Sequence, residues 1–280
     1  MTPGAAASSP ITLLTDFGLE DAYAGVMKGV VLGINPAARI VDITHAVRPG
    51  DIAGARFILA NSVKFFPPGS VHAVVVDPGV GSGRRAIIVR SGGFHFVGPD
   101  NGVFTGFFPG AEKIISITNE RFMLPRKKLK SPSADTTLPR GATFDGRDVF
   151  APAAAWLSRG VRAEEFGPEI KDPVELPLPE PFFEKGQKGG LTGHVVHIDR
   201  FGNCITNIGL EQLLMLGKDR GLIRVKVKGL SIGLVGFYMS RRDGRPHALV
   251  NSDGLLEIFI PGGDAGRALG LKTGAAVKVF

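Results

Sequence analysis

The chain has 280 residues, with 33 Lys and Arg against 26 Asp and Glu, a net charge of +7 and one cysteine. That length fits one large domain or two smaller ones, and an apolar fraction of 44% is ordinary for a protein with a full core. Cys204 has no partner for an intramolecular disulfide, which fits a reducing, cytoplasmic setting, and no apolar run is long enough to span a membrane. Residues 1–10 are small and polar and read as a disordered tail, not a secretory signal.

The predicted elements alternate through the first half. Residues 11–15 form a short buried strand. Residues 20–34 carry Ala22, Val26 and Val30 at helical spacing, and residues 39–44 make a second strand. Asp51 can cap a helix over 52–65, stopped by Pro67-Pro68-Gly69. Residues 71–76 are an apolar strand, 86–90 and 95–97 a hairpin around Ser91-Gly92-Gly93, 113–117 a further strand and 148–157 an Ala-rich helix. This alternation predicts an α/β domain over 11–170 with a largely parallel central sheet. Residues 171–189 are Pro-rich and read as a linker. Beyond 190 the pattern is short strands and turns (191–198, 222–227, 247–250, 255–260, 275–280), which predicts a C-terminal all-β, barrel-like domain over 190–280.

The positive charge concentrates in Arg126-Lys127-Lys128 with Lys130 nearby, beside a Pro/Ser/Thr/Asp-rich stretch. With no interleaved aromatics and no binding motif around it, it reads as a solvated loop and not as a nucleic-acid patch.

Candidate chemistry sits where strands end. Val74-Val75-Val76 runs into Asp77-Pro78-Gly79-Val80-Gly81-Ser82-Gly83-Arg84-Arg85, which puts a carboxylate and a guanidinium at the carboxyl end of a strand, where open α/β sheets collect ligands. The glycines do not match the phosphate loop, which needs a following Lys-Ser/Thr. Asp16 either caps the next helix or accepts two hydrogen bonds from a ribose diol. Asn203, after Asp199-Arg200-Phe201-Gly202, is either a turn residue or a reader of an adenine edge. Asn251-Ser252-Asp253-Gly254 reads first as a hairpin turn. His194 and His197 would face opposite sides of a strand, which argues against a metal pair.

Taken together, Leu14-Thr15-Asp16-Phe17-Gly18 with Asp21, Val76-Asp77-Pro78-Gly79-Val80-Gly81, Gly98-Pro99-Asp100-Asn101-Gly102, Thr143-Phe144-x-Gly146-Arg147-Asp148-x-Phe150-Ala151-Pro152 and Ile198-Asp199-Arg200-Phe201-Gly202-Asn203 resemble the S-adenosyl-L-methionine hydroxide adenosyltransferases, relatives of the fluorinases and chlorinases. The resemblance covers nearly the whole of residues 11–280. It implies an N-terminal α/β domain, a C-terminal barrel-like domain and a homotrimer with sites between neighbouring subunits. It also implies displacement of L-methionine from C5′ of S-adenosyl-L-methionine by water or hydroxide, with this small molecule as substrate and with neither metal nor cofactor. By the resemblance, Asp16 would hold the ribose diol, Asp21 and Asp199 the methionine ammonium, and Ser252 would lie near its amino-acid head. Asn203 would bind adenine between Phe201 and Tyr238. Asp77 and Arg84 match two members of the family's water-positioning Asp-Arg-His set. The third differs: Asp145 stands where the family has histidine, within Thr143-Phe144-Asp145-Gly146-Arg147-Asp148. Asp145 would therefore either hold Arg84 while Asp77 orients the water, share a proton with Asp77, or face away from the site. Two other functions are compatible with the motifs: a halogenase of the same family, and a catalytically weak sensor of S-adenosyl-L-methionine or adenosine.

Overall fold

The computed structural model describes residues 9–125, 129–130, 137–138, 143–184, 189–217, 219–241 and 243–280. Arg126, Lys127 and Lys128 of the basic run, and residues 1–8 of the expected tail, lie outside the described residues. The chain divides into two compact units, residues 1–176 and 177–280.

In the first unit β1 (Ile11–Thr15), β2 (Ile40–Thr44), β3 (Val71–Val75), β4 (Ala86–Ser91), β5 (Phe94–Pro99) and β6 (Ala111–Ser116) form one sheet in the order β2-β1-β3-β5-β4-β6. From β2 to β5 the pairs are parallel; β4 then pairs antiparallel with both β5 and β6. The sheet is thus mixed, because the two-glycine turn at 92–93 returns β5 beside β4 in antiparallel sense. Strand β3 lies inside the sheet and is buried along its length. Its side chains alternate as the two-residue strand period requires. Val71, Ala73 and Val75 pack with α1 (Tyr23–Ile34) and α3 (Ala151–Ser158), whereas Val74 packs with Ala55 and Leu59 of α2 (Ile52–Ser62). Cover on both faces explains why β3 is an unbroken apolar run apart from His72. Asp51 caps α2, its carboxylate accepting from the Gly54 amide at 2.9 Å. A short pair, β7 (Leu129–Lys130) and β8 (Thr137–Leu138), follows β6.

The expected helix over 148–157 begins differently. Residues Gly146–Phe150 form a π turn, in which Ala151 donates to the carbonyl of Gly146, five residues back, and α3 starts only at Ala151. Pro152 lacks the amide that would have bonded the Asp148 carbonyl, and Leu124 supplies that bond at 2.9 Å. A β-carbon on Gly146 would lie 2.8 Å from the Phe144 ring and 3.2 Å from the Met27 sulfur, so only glycine fits there.

The second unit is one antiparallel sheet. Strands β9 (Phe182–Phe183), β10 (Leu191–Ile198), β11 (Cys204–Gly209), β12 (Arg224–Val227), β13 (Leu230–Gly233), β14 (His247–Val250), β15 (Leu255–Phe259) and β16 (Ala276–Val279) run in the order β13-β12-β16-β10-β11-β15-β14, with β9 on β10. A bridge from Leu234 to Ala248 brings the two ends of the sheet together, giving a nearly closed barrel around Leu191, Val195, Val225, Leu256, Ile258 and Val277. Helices α4 (Leu210–Met215) and α5 (Ala265–Leu269) interrupt the strands. Among the described residues, no helix is long and apolar enough to cross a membrane.

Candidate active site

Asp77 lies two residues beyond the end of β3, and Arg84 stands at the far end of the glycine-rich turn. The Arg84 guanidinium donates to both oxygens of Asp77: Nε to Oδ1 at 3.0 Å, and Nη2 to Oδ2. The same Nη2 donates to Asp145 Oδ2 at 2.6 Å. Asp145 precedes the π turn, so the irregular start of α3 is what delivers this carboxylate to Arg84. All three side chains are nearly buried, at 5%, 12% and 10% exposure for Asp77, Arg84 and Asp145. The Arg84 guanidinium also lies 5.3 Å from the centroid of the Phe150 ring. Burial alone would lower the Arg84 pKa; its hydrogen bonds and charge contacts, first with Asp77 and then with Asp145, outweigh burial and raise it. The cluster is therefore a fixed, charge-assisted array at the carboxyl edge of the sheet. Of the three arrangements open for Asp145, the geometry is the one in which it grips Arg84.

Asp16 follows β1. It does not cap α1, whose N-cap is Ala22 with no side-chain bond; instead its Oδ2 accepts from the Gly50 amide at 2.8 Å. A β-carbon at Gly50 would lie 3.8 Å from Pro78, so Asp16 sits next to the Asp77 turn. Beneath Asp16 runs a chain of polar contacts that the sequence did not announce. Lys28 bonds Asp42 at 2.6 Å, Asp42 meets His45 Nε2 at 3.1 Å, His45 Nδ1 meets the Thr15 hydroxyl at 2.8 Å, and Thr15 accepts from the Phe17 amide at 3.3 Å. Thr15 and His45 are buried, 30 residues apart, so no short motif marks the pair. Asp21 is exposed in the turn before α1.

A second polar group secures the next edge of the sheet. Arg85 Nε donates to buried Asp100 at 2.8 Å and its Nη1 to Asp172 at 2.8 Å, and the other oxygen of Asp100 accepts from the Val174 amide at 2.8 Å. The Asn101 side chain donates to the Val76 carbonyl at 2.9 Å, fixing the chain just before Asp77.

In the second unit, Asp199, Phe201, Asn203 and Tyr238 line one open pocket of about 710 Å³, with Met239 and Phe259. Asp199 Oδ1 accepts from the Phe201 and Asn203 amides, each at 2.9 Å, and its Oδ2 accepts from the Asn203 side-chain nitrogen at 3.1 Å. A carboxylate only accepts, so it fixes which end of the Asn203 amide faces it and turns the amide oxygen elsewhere. The turn depends on Gly202, at φ 83°, where any side chain would run into Asp264. Tyr238 donates to Glu257 at 2.6 Å; burial of its hydroxyl and that bond raise its pKa. Phe201 is 76% exposed and the Tyr238 residue 44%, so apolar ring surface faces the pocket. Ser252 is exposed in the β14–β15 turn and does not line this pocket. Among the described residues, no three His, Cys, Asp or Glu side chains are grouped to hold a metal ion.

Residues 11–167 match the model of the SAM hydroxide adenosyltransferase N-terminal domain, and residues 193–278 that of its C-terminal domain. The chain is 38% identical to a (R)-S-adenosyl-L-methionine hydrolase of Thermus thermophilus, over 97% of this chain and 99% of that one. It is 35% identical to a protein of the same name from Methanocaldococcus jannaschii, over 89% and 87%. A fluorinase from Nocardia brasiliensis matches at 27%. Among solved structures, an uncharacterised conserved protein from Thermotoga maritima superposes with a TM-score of 0.85 at 36% identity, covering 96% of this chain and 99% of that one.

Proposed function

The chain belongs to the SAM hydroxide adenosyltransferase family, and on that premise we propose that it is an enzyme that hydrolyses S-adenosyl-L-methionine to adenosine and L-methionine. The observation that carries this reading is the buried Asp77–Arg84–Asp145 cluster at the end of β3. A sulfonium is already a strong leaving group, so the task is to aim water at C5′ opposite sulfur and keep other nucleophiles away. Arg84 holds the Asp77 carboxylate in place, and Asp77 orients the water and receives its proton. Asp16 accepts from the ribose hydroxyls, steadied by Gly50 and by the Thr15–His45–Asp42 chain.

On the second unit, Asn203 offers adenine its amide oxygen and its remaining N–H, while Phe201 and Tyr238 supply ring surface for stacking. Asp199 orients Asn203, and with Asp21 it places negative charge toward the methionine ammonium, with Ser252 near the amino-acid head. The reaction needs no metal or cofactor, because no group has to be polarised for sulfur to leave. A halogenase is disfavoured, since two carboxylates at the nucleophile's position repel a halide. A homotrimer in a cytoplasmic setting completes the reading, and light scattering on active fractions checks the assembly.

The test is chromatography of purified protein incubated with S-adenosyl-L-methionine and a chelator. Adenosine and methionine in equal amounts support the assignment. S-adenosyl-homocysteine or methylthioadenosine would overturn it, and intact bound substrate would favour the sensor.

A further inference from the structure

We propose that Asp145 determines which nucleophiles this site accepts: by adding a second carboxylate to the Asp77–Arg84 pair, it makes the reacting corner net anionic, open to neutral water and closed to anions. The inference rests on the proposed hydrolysis. It starts from the shared donor. Arg84 Nη2 serves Asp77 Oδ2 and Asp145 Oδ2 together, so one guanidinium stands against two carboxylates. A neutral histidine at this position would leave the corner formally uncharged; aspartate leaves it at minus one.

Among the described residues, the cations next to Arg84 and Asp145 along the chain face other carboxylates, and Arg85 bonds Asp100 and Asp172. Arg147, the next cation along the π turn, faces its own neighbour, with Nε to Asp148 Oδ1 at 2.6 Å and Nη2 to Asp148 Oδ2 at 3.0 Å, which makes a locally neutral pair. Arg84 itself cannot lose its proton, since the two carboxylates raise its pKa. The low exposure of all three side chains weakens solvent screening, so the excess charge is felt where the nucleophile must sit.

This charge suits one reaction course. As neutral water attacks, the O–C5′ bond forms while the C5′–S bond breaks, and its electron pair stays on sulfur as the neutral thioether of methionine. The attacking oxygen becomes positive and must release a proton. That proton passes to Asp77, taking the corner from minus one to neutral, and then leaves to solvent. The developing positive charge is thus stabilised by both carboxylates. A halide, azide or hydroxide ion would instead bring a second negative charge into an already anionic site. Asp145 is in this sense a specificity-determining residue acting through charge, with its grip on Arg84 as the positioning element.

The experiment compares the native protein with Asp145→Asn, which removes the charge but keeps an oxygen able to accept from Arg84, and with Asp145→His. Adenosine formation is followed while sodium azide replaces sodium sulfate at constant ionic strength, and azide binding is measured in parallel by calorimetry. The native rate should be insensitive to azide, with adenosine as the nucleoside product. Asp145→Asn and Asp145→His should be inhibited at azide concentrations at least tenfold lower, or should form 5′-azido-5′-deoxyadenosine with release of methionine. Equal azide dependence in native and variant proteins would overturn the inference. If the native protein forms no adenosine, the proposed hydrolysis fails, and calorimetry still decides the charge argument: azide binding to Asp145→Asn with none to the native protein supports it, and equal binding overturns it.

Discussion

The Asp77–Arg84–Asp145 corner of the first unit and the pocket of the second are built on opposite plans. In the corner every charged group is gripped by another: one guanidinium bonds both oxygens of Asp77 and one of Asp145, and all three side chains are at most 12% exposed. In the pocket the polar groups are also fixed, Asn203 by Asp199 and Tyr238 by Glu257, but the rings of Phe201 and Tyr238 present bare surface. Under the proposed function, with the corner as reacting array and the pocket as binding surface, the difference matches two demands. A reacting array must be in place before substrate arrives, because reorganisation during the reaction raises the barrier. A binding surface can leave apolar area exposed, because the ligand covers it and gains from doing so.

The largest effect that would sharpen this contrast is on stability. Arg84→Ala leaves two neighbouring buried carboxylates without their shared cation and should destabilise the first unit by about 3–5 kcal/mol. Phe201→Ala removes an exposed ring and should change stability by no more than about 0.5 kcal/mol. Denaturant unfolding of both variants checks this, and comparable losses would remove the distinction between the two regions.

Acid should act on the first unit through His72. Its imidazole is fully buried beside Phe66, Phe94 and Phe96, and burial lowers its pKa from 6.5 to about 4. The folded state therefore binds fewer protons than the unfolded state between these values. Stability is full above pH 6.5 and falls as pH drops toward 4, by about 3 kcal/mol in total. His95 is lowered by burial in the same direction. Hydrogen exchange against pH should show β3 losing protection across that window, and His72→Leu should flatten the dependence. An unchanged slope in the variant would remove His72 from the account.

A smaller effect concerns the support beneath Asp16. Thr15→Val keeps the shape but breaks the link to His45, which should cost about 1 kcal/mol, read as a roughly fivefold rise in KM with kcat kept. A fall in kcat alone would show that the chain acts on the reacting corner and not on ribose binding.

Much of this was legible in the sequence. An apolar run ending in Asp-Pro-Gly identifies β3 and the exposed end that carries Asp77, and Asp51 before an apolar-periodic stretch marks the start of α2. The π turn was hidden because Ala-rich residues after Phe150 favour a helix whatever its first hydrogen bonds are. What reveals it is tertiary, the Leu124 amide on the Asp148 carbonyl. The Thr15–His45–Asp42 chain was illegible for a similar reason, since its members come together only through the parallel pairing of β1 with β2 and the loop that follows. The central sheet is parallel from β2 through β1 and β3 to β5, as the alternation of elements implies, and the hairpin read around Ser91-Gly92-Gly93 adds β4, then β6, in antiparallel sense. In the second unit β9, β11 and β13 escaped the sequence reading: β9 falls in the Pro-rich stretch read as a linker, and polar residues and glycine break the apolar pattern of β11 and β13.

The central claim is that the corner performs the chemistry while the pocket binds adenine. Steady-state kinetics of Asp77→Ala beside Asn203→Ala on S-adenosyl-L-methionine tests it most directly. Asp77→Ala should lower kcat by about 10²–10⁴ with KM within a few-fold of native. Asn203→Ala should raise KM by about tenfold or more, the loss of a buried hydrogen-bonded pair, with kcat within a few-fold of native. The reverse pattern, with Asp77→Ala changing only KM and Asn203→Ala changing only kcat, would contradict the account.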